Sequence, residues 1–140
     1  MHYDRILLSM DGSGDEKRVV DEAFRLTSFF NAKLAIIVVN DPGAGKAHMM
    51  MNTLPRVTED DIAGNLDAYG YGEKIDQVDI VAKESASYAE AIARTSHDFD
   101  LLIMGHHPKS RLLAFLKDST DERVADRIDC PVLLVPLATR

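Results

Sequence analysis

The first residues that could do chemistry are Asp11-Gly12-Ser13, which follow Ser9-Met10 at the end of the short apolar run Ile6-Leu7-Leu8. Ligands of open parallel sheets bind beyond the carboxyl ends of the strands. A carboxylate placed there can accept hydrogen bonds from a ribose or hold a metal. An aspartate before glycine is also a good turn residue, because its side chain bonds its own backbone. The sequence leaves both readings of Asp11 open. A second constellation, Gly105-His106-His107-Pro108-Lys109-Ser110-Arg111, follows the apolar run Leu101 to Met104. Gly105 allows close backbone approach to a ligand, and the basic side chains after it suit an anion; a solvated basic loop is the alternative. Adjacent histidines on extended backbone point to opposite sides, so no two-histidine metal site is expected. His2, His48 and His97 offer no ligand spacing.

Three further motifs carry less. Gly43-Ala44-Gly45-Lys46 invites comparison with a phosphate-binding P-loop, but that pattern needs glycine where Asn40 stands and a hydroxyl residue where Ala47 stands. A flexible loop is the better reading. Ser119-Thr120 precedes a helical pattern and can cap it, as can Asp118. A helix amino terminus also offers N–H groups to phosphate, yet Asp118, Asp121 and Glu122 crowd this one with negative charge. Cys130, beside Pro131, reads as a buried inert thiol. No Ser/His/Asp or Cys/His arrangement can be assembled, so no nucleophile with its base is nominated.

The elements that must position these residues alternate. Near-continuous apolar runs occur at Ile6 to Leu8, Leu34 to Val39, Val78 to Ala82, Leu101 to Met104 and Val132 to Val135. Continuous runs predict strands of a parallel sheet, buried on both faces. Between them, Asp15 to Phe30 carries Val19, Val20, Ala23, Phe24, Leu26 and Phe30 at helical spacing. Ser13 with Glu16 three residues later predicts a capping box at its start. Tyr88 to Thr95 and Asp121 to Ile128 read as helices, the latter with Val124, Ala125 and Ile128 on one face. Thr58 to Tyr69 is expected to be helical, with Thr58 as N-cap and Asp61 in the first turn. Asp41 to Arg56, with Pro42, Gly43, Gly45 and Pro55, reads as a long loop. Strand alternating with helix predicts a single α/β domain over residues 1–140.

Composition bounds the function. The chain has 140 residues, 46% hydrophobic and 28% charged, with a formal net charge of −7. That is an ordinary globular composition, and the acidic balance argues against a nucleic-acid binder, which needs surplus Lys and Arg. A single cysteine excludes an internal disulfide and fits a reducing cytoplasm. No apolar run approaches the ~20 residues that span a bilayer, so no membrane association is expected. Nor do the opening residues supply the apolar core of a signal peptide.

Together these pieces resemble the universal stress protein family, over nearly the whole chain. The resemblance rests on Tyr3-Asp4-Arg5-Ile6-Leu7-Leu8-Ser9-Met10-Asp11-Gly12-Ser13 and on Ala32-Lys33-Leu34 entering the second strand. It rests also on Asp98-Phe99-Asp100-Leu101-Leu102-Ile103-Met104-Gly105-His106-His107 and on Cys130-Pro131-Val132-Leu133-Leu134-Val135-Pro136. It implies an open five-stranded parallel sheet in the order 3-2-1-4-5 with helices on both faces, a Rossmann-like fold. Strands 1 and 4 would then flank the topological switch point, and Asp11 and Gly105 would face one crevice.

Nucleotide-binding members of the family carry, after strand 4, Gly, two residues, Gly, nine residues, then Gly and Ser or Thr. On this chain the first glycine is Gly105, the second falls on Pro108, the third on Asp118, and the hydroxyl on Ser119. Pro108 lacks an N–H for phosphate, and Asp118 places a carboxylate where phosphate should approach. The pattern resembles instead the branch typified by universal stress protein A, which lacks the phosphate loop. The resemblance thus implies a non-catalytic stress-response homodimer in the cytoplasm, without tight ATP binding and with no cofactor expected, pairing through Val132, Leu133, Leu134 and Val135 and acting on an unidentified regulatory partner. The alternative is an adenine-nucleotide binder of ATP or AMP. By resemblance, Asp11 would take the ribose, Val39 the adenine, and Gly105, His106, Ser119 and Thr120 the loop around the phosphates.

Overall fold

Residue alternation along the second strand shows how the layers form. In β2 (Lys33–Asn40) all but the first residue are buried. Leu34, Ile36 and Val38 join one hydrophobic core, whereas Ala35, Ile37 and Val39 join another. Successive side chains of a strand point to opposite faces, so a strand apolar at every position must be covered on both sides. β1 (Arg5–Ser9) and β4 (Leu101–His106) behave alike. The computed structural model describes residues 2–44, 55–106 and 128–137.

The sheet has five parallel strands in the order β3-β2-β1-β4-β5, with β3 at Val78–Glu84 and β5 at Val132–Pro136. Helices α1 (Lys17–Phe30) and α2 (Glu59–Ala68) cover one face: Val19, Val20, Ala23, Ile62 and Leu66 pack with Ile6, Leu8 and Ile103. Helix α3 (Tyr88–Ser96) covers the other, where Ala89 and Ile92 meet Leu7, Ile37 and Leu102. A short 3₁₀ segment, Gly72–Gln77, leads into β3.

Two expectations are corrected. The edge strands β3 and β5 are not buried on both faces; Val81, Val132 and Leu134 are exposed. Hydrophobic runs reflect a residue's strand identity, while burial depends on neighbours on both sides, which edge strands lack. The Ser13/Glu16 capping box is absent as well. Helix α1 begins at Lys17, its N-cap residue is Glu16, and no side chain caps it. The Ser13 hydroxyl instead bonds the Asp15 carboxylate, and the Glu16 carboxylate is engaged by the loop before it. The box expected at Thr58 and Asp61 is present: Thr58 Oγ1 accepts from Asp61 N–H and Asp61 Oδ2 from Thr58 N–H. The predicted helix over residues 121–128 and most of the loop over residues 41–56 lie outside the described residues.

Candidate functional site

The switch point falls where the sheet order reverses, between β1 and β4. Their register sets Ser9 beside Met104, so Asp11 and Gly105 emerge next to one another at the carboxyl ends of these strands. Ser9 also pairs with Ile37 of β2, and Met10 N–H reaches the Ile37 carbonyl. Val39 stands two residues further along β2, buried in the core on the α3 side. His106 ends β4 exposed, its carbonyl accepting from Leu137 N–H at 2.8 Å. Of the six residues singled out, Asp11, Val39, Gly105 and His106 thus gather at one end of the sheet, and Ser119 and Thr120 lie outside the described residues.

Asp11 shows the turn chemistry in full. Its Oδ1 accepts the Ser13 N–H at 3.0 Å, and Gly12 follows with φ +79. That left-handed backbone is open to glycine at little cost. The space is also closed to a side chain, since a Cβ on Gly12 would stand 2.7 Å from Val57 Cγ1. Val57 is itself fixed by buried Asn40, whose amide donates to the Val57 carbonyl at 2.8 Å and accepts its N–H at 2.9 Å. The ends of β1 and β2 and the approach to α2 are therefore one packed unit.

Gly105 has a structural reason for being glycine. A Cβ there would come within 2.9 Å of Leu137 Cδ1, so that side of its backbone is filled by the chain's own residue after β5. On the α3 face, Ser9 and Tyr88 join hydroxyls at 2.6 Å, tying the end of β1 to the first turn of α3. Cavities of about 250 Å³, beside Phe24 and Lys74, and about 500 Å³, beside Arg5 and Asp79, open at the other, amino end of the strands; neither touches Asp11 or Gly105.

Sequence reasoning missed the central acid of the site. Glu16 is 3% exposed. Its Oε2 accepts the Asp11 N–H at 2.9 Å and its Oε1 the Gly12 N–H at 3.0 Å. Its own N–H donates to the Tyr69 hydroxyl at 3.0 Å, at the end of α2. Burial, and then the neighbouring Asp11 carboxylate, raise its pKa from the ordinary 4.5 to about 8, against the two amide bonds that pull it down. Burial likewise raises the Tyr69 hydroxyl. The Ser-x-x-Glu spacing hid this role, because it matches a capping box equally well. Among the described residues no group of three or more metal-capable side chains forms, and no helix is long and apolar enough to cross a membrane.

The model of the Universal stress protein family matches residues 2–136. No curated protein matches the chain. Among solved structures, a universal stress protein in complex with cAMP is 23% identical at TM-score 0.60, covering 99% of this chain and 100% of that one. A universal stress protein from Archaeoglobus fulgidus in complex with dAMP is 15% identical at TM-score 0.59, covering 96% and 99%. A member of the family from Burkholderia pseudomallei is 22% identical at TM-score 0.56, covering 96% of each chain. At these identities the likeness is one of fold.

Proposed function

The chain belongs to the universal stress protein family, and we propose that within it this protein is a non-catalytic stress-response regulator, a cytoplasmic homodimer that does not hold ATP tightly. The observation that carries the reading is the packing of Leu137 against Gly105. The Cβ side of that glycine is taken up by the chain's own Leu137, which leaves a ligand less backbone to approach. The sequence adds Pro108 and Asp118 at the positions of the phosphate-loop glycines, where one removes an N–H and the other adds a negative charge. The single cysteine supports the compartment. The exposed apolar residues of edge strand β5 support the dimer.

Calorimetric titration with ATP and magnesium tests this directly. We expect no binding tighter than about 0.1 mM, or roughly 5–6 kcal/mol. Substituting Pro108→Gly together with Asp118→Gly is expected to tighten it. A stoichiometric adenine nucleotide released from the purified protein on denaturation, seen by mass spectrometry, would overturn the proposal.

A second reading is favoured by the cAMP and dAMP complexes of similar fold. In it the same crevice takes an adenine nucleotide with one phosphate, bound through Asp11 at the ribose. A nucleoside monophosphate makes less demand on the altered phosphate loop than ATP does. Titration with AMP separates the readings: a dissociation constant below that for ATP supports the second.

A further inference from the structure

The larger of the two cavities, about 500 Å³, has no part in either reading. Open parallel sheets take ligands at the carboxyl ends of their strands; this hollow lies at the amino ends, on the face that α3 covers. Three strands build it by register. Arg5 opens β1 beside Lys33 of β2, and Ala35 stands beside Asp79 of β3. Leu7 and Ala35 belong to the α3-side core. Arg5 and Lys33, two residues before them, therefore point to that face, and so does Asp79. Buried Ala35 is the floor between these charged side chains. At the β1 end the Arg5 guanidinium lies over the Phe99 ring, 4.7 Å from its centroid. A guanidinium stacked in this way presents a planar fork of N–H groups that suits a carboxylate. The volume is that of a small-molecule site, typically ~300–1,000 Å³.

Charge is ordered along the hollow, with the cations on the β1 and β2 side and the Asp79 carboxylate on the β3 side. With ~4.8 Å between strands and ~3.3 Å per residue, the Asp79 Cα lies roughly 8 Å from that of Lys33 and roughly 12 Å from that of Arg5. Among the described residues no ion pair engages Arg5, Lys33 or Asp79. Two other carboxylates stand near the cations, and both are engaged. Asp4 Oδ1 lies 2.8 Å from His2 Nε2, and Asp100 Oδ2 accepts the N–H groups of Asp4 and Arg5. A purely anionic ligand would be repelled by Asp79, and a purely cationic one by Arg5 and Lys33.

We propose that this hollow binds short zwitterionic peptides of two or three residues, with the carboxylate held by Arg5 and Lys33, the ammonium by Asp79 and the backbone lying over Ala35. An extended chain spans ~3.3–3.6 Å per residue, so two or three residues set their end charges roughly 7–11 Å apart, the separation found across β2. A single amino acid carries its charges too close together to reach both sides. Each exposed ion pair contributes little, so affinity is modest and selectivity comes from engaging both ends at once. The proposal does not depend on whether the switch-point crevice takes a nucleotide.

The test titrates the isotope-labelled protein with trialanine and follows the backbone amide signals by NMR. Saturable shifts are expected at Lys33, Ala35 and Asp79 but not at Asp11 or Gly12, with a dissociation constant on the order of 1 mM. Acetylating the peptide's amine, or amidating its carboxylate, is expected to weaken binding about fivefold, and free alanine is expected to bind more weakly than either. Variants of the exposed side chains then assign the charges. Asp79→Asn is expected to bind free and acetylated trialanine alike, and Arg5→Gln combined with Lys33→Gln to bind free and amidated trialanine alike. Absence of saturable shifts at about 20 mM trialanine, or binding indifferent to both blocking groups, overturns the proposal. So does an Asp79→Asn variant that still discriminates against the acetylated peptide.

Discussion

Among the described residues no hydrogen bond or ion pair joins Glu16 to a cation, and burial makes the folded state favour its protonated form. Its pKa is raised on folding, from 4.5 to about 8. The stability it contributes is thus fully present below pH 4.5 and is lost as pH rises through 8, by at most about 1.4 kcal/mol per pH unit. Urea unfolding of the wild type is expected to show a falling midpoint from pH 5 to 9, with a shallower fall in Glu16→Gln. Above pH 8 the Gln variant is expected to be the more stable protein, by on the order of a few kcal/mol. Gly12→Ala argues from the same loop. It puts a side chain on backbone at φ +79 and within 2.7 Å of Val57, so a loss of about 1–3 kcal/mol is expected in the same assay. At this scale the sequence was only partly legible. Asp11 and Gly105 could be singled out because they follow apolar runs, and parallel sheets bind ligands there. Glu16 could not, because burial decides whether a carboxyl group caps a helix or anchors a loop, and burial comes from α2, 53 residues away at Tyr69.

The two helix starts show what a cap motif does and does not determine. Thr58-Glu59-Asp60-Asp61 forms its box because Thr58 enters α2 extended and, among the described residues, no other hydrogen bond to its hydroxyl or to the Asp61 carboxylate forms. Ser13 to Glu16 has the same pattern, but the amides of Asp11 and Gly12 reach Glu16 first. Thr58→Ala is therefore expected to cost about 1 kcal/mol in equilibrium unfolding, whereas Ser13→Ala, which removes no helix cap, is expected to cost under about 0.5 kcal/mol. Strands were legible at this scale because their apolar runs are short and nearly continuous, with Asp79 the one break. The 3₁₀ segment Gly72–Gln77 was not, since its glycine and charges read as connection, and packing of Ile75 against the core helps to fix it. The difference between central and edge strands was only faintly written in the runs themselves: Asp79 interrupts Val78 to Ala82, while Val132 to Val135 is as apolar as a central strand, and the exposure of both follows from their places in the order.

At the scale of the whole molecule, the sheet ends at β3 and β5, and β5 is the edge with more exposed apolar residues, Val132 and Leu134. Its register sets Val132 beside Leu102 and Leu134 beside Met104, and these two β4 residues belong to the α3-side core. Val132 and Leu134 thus point to that face, where they are 38% and 44% exposed. Leu133 and Val135 point the other way, into the core under α1. Pro131 and Pro136 bracket the run, so strand pairing with another chain is limited to a short stretch in fixed register. Two copies meeting along this edge give a closed twofold dimer. If two copies pair there, a charge at Leu134, which is 44% exposed, enters the shared surface, and among the described residues it enters neither core. Leu134→Lys is expected to stay folded, with wild-type circular dichroism, and to sediment as a monomer at micromolar concentration, where the wild type is expected to sediment as a dimer. Leu133→Lys is expected to lose stability instead, by about 3 kcal/mol or more, because it carries an unpaired charge into the α1-side core. A folded Leu134→Lys that remains dimeric would place the interface elsewhere, and a wild type that sediments as a monomer at high concentration would remove the dimer altogether.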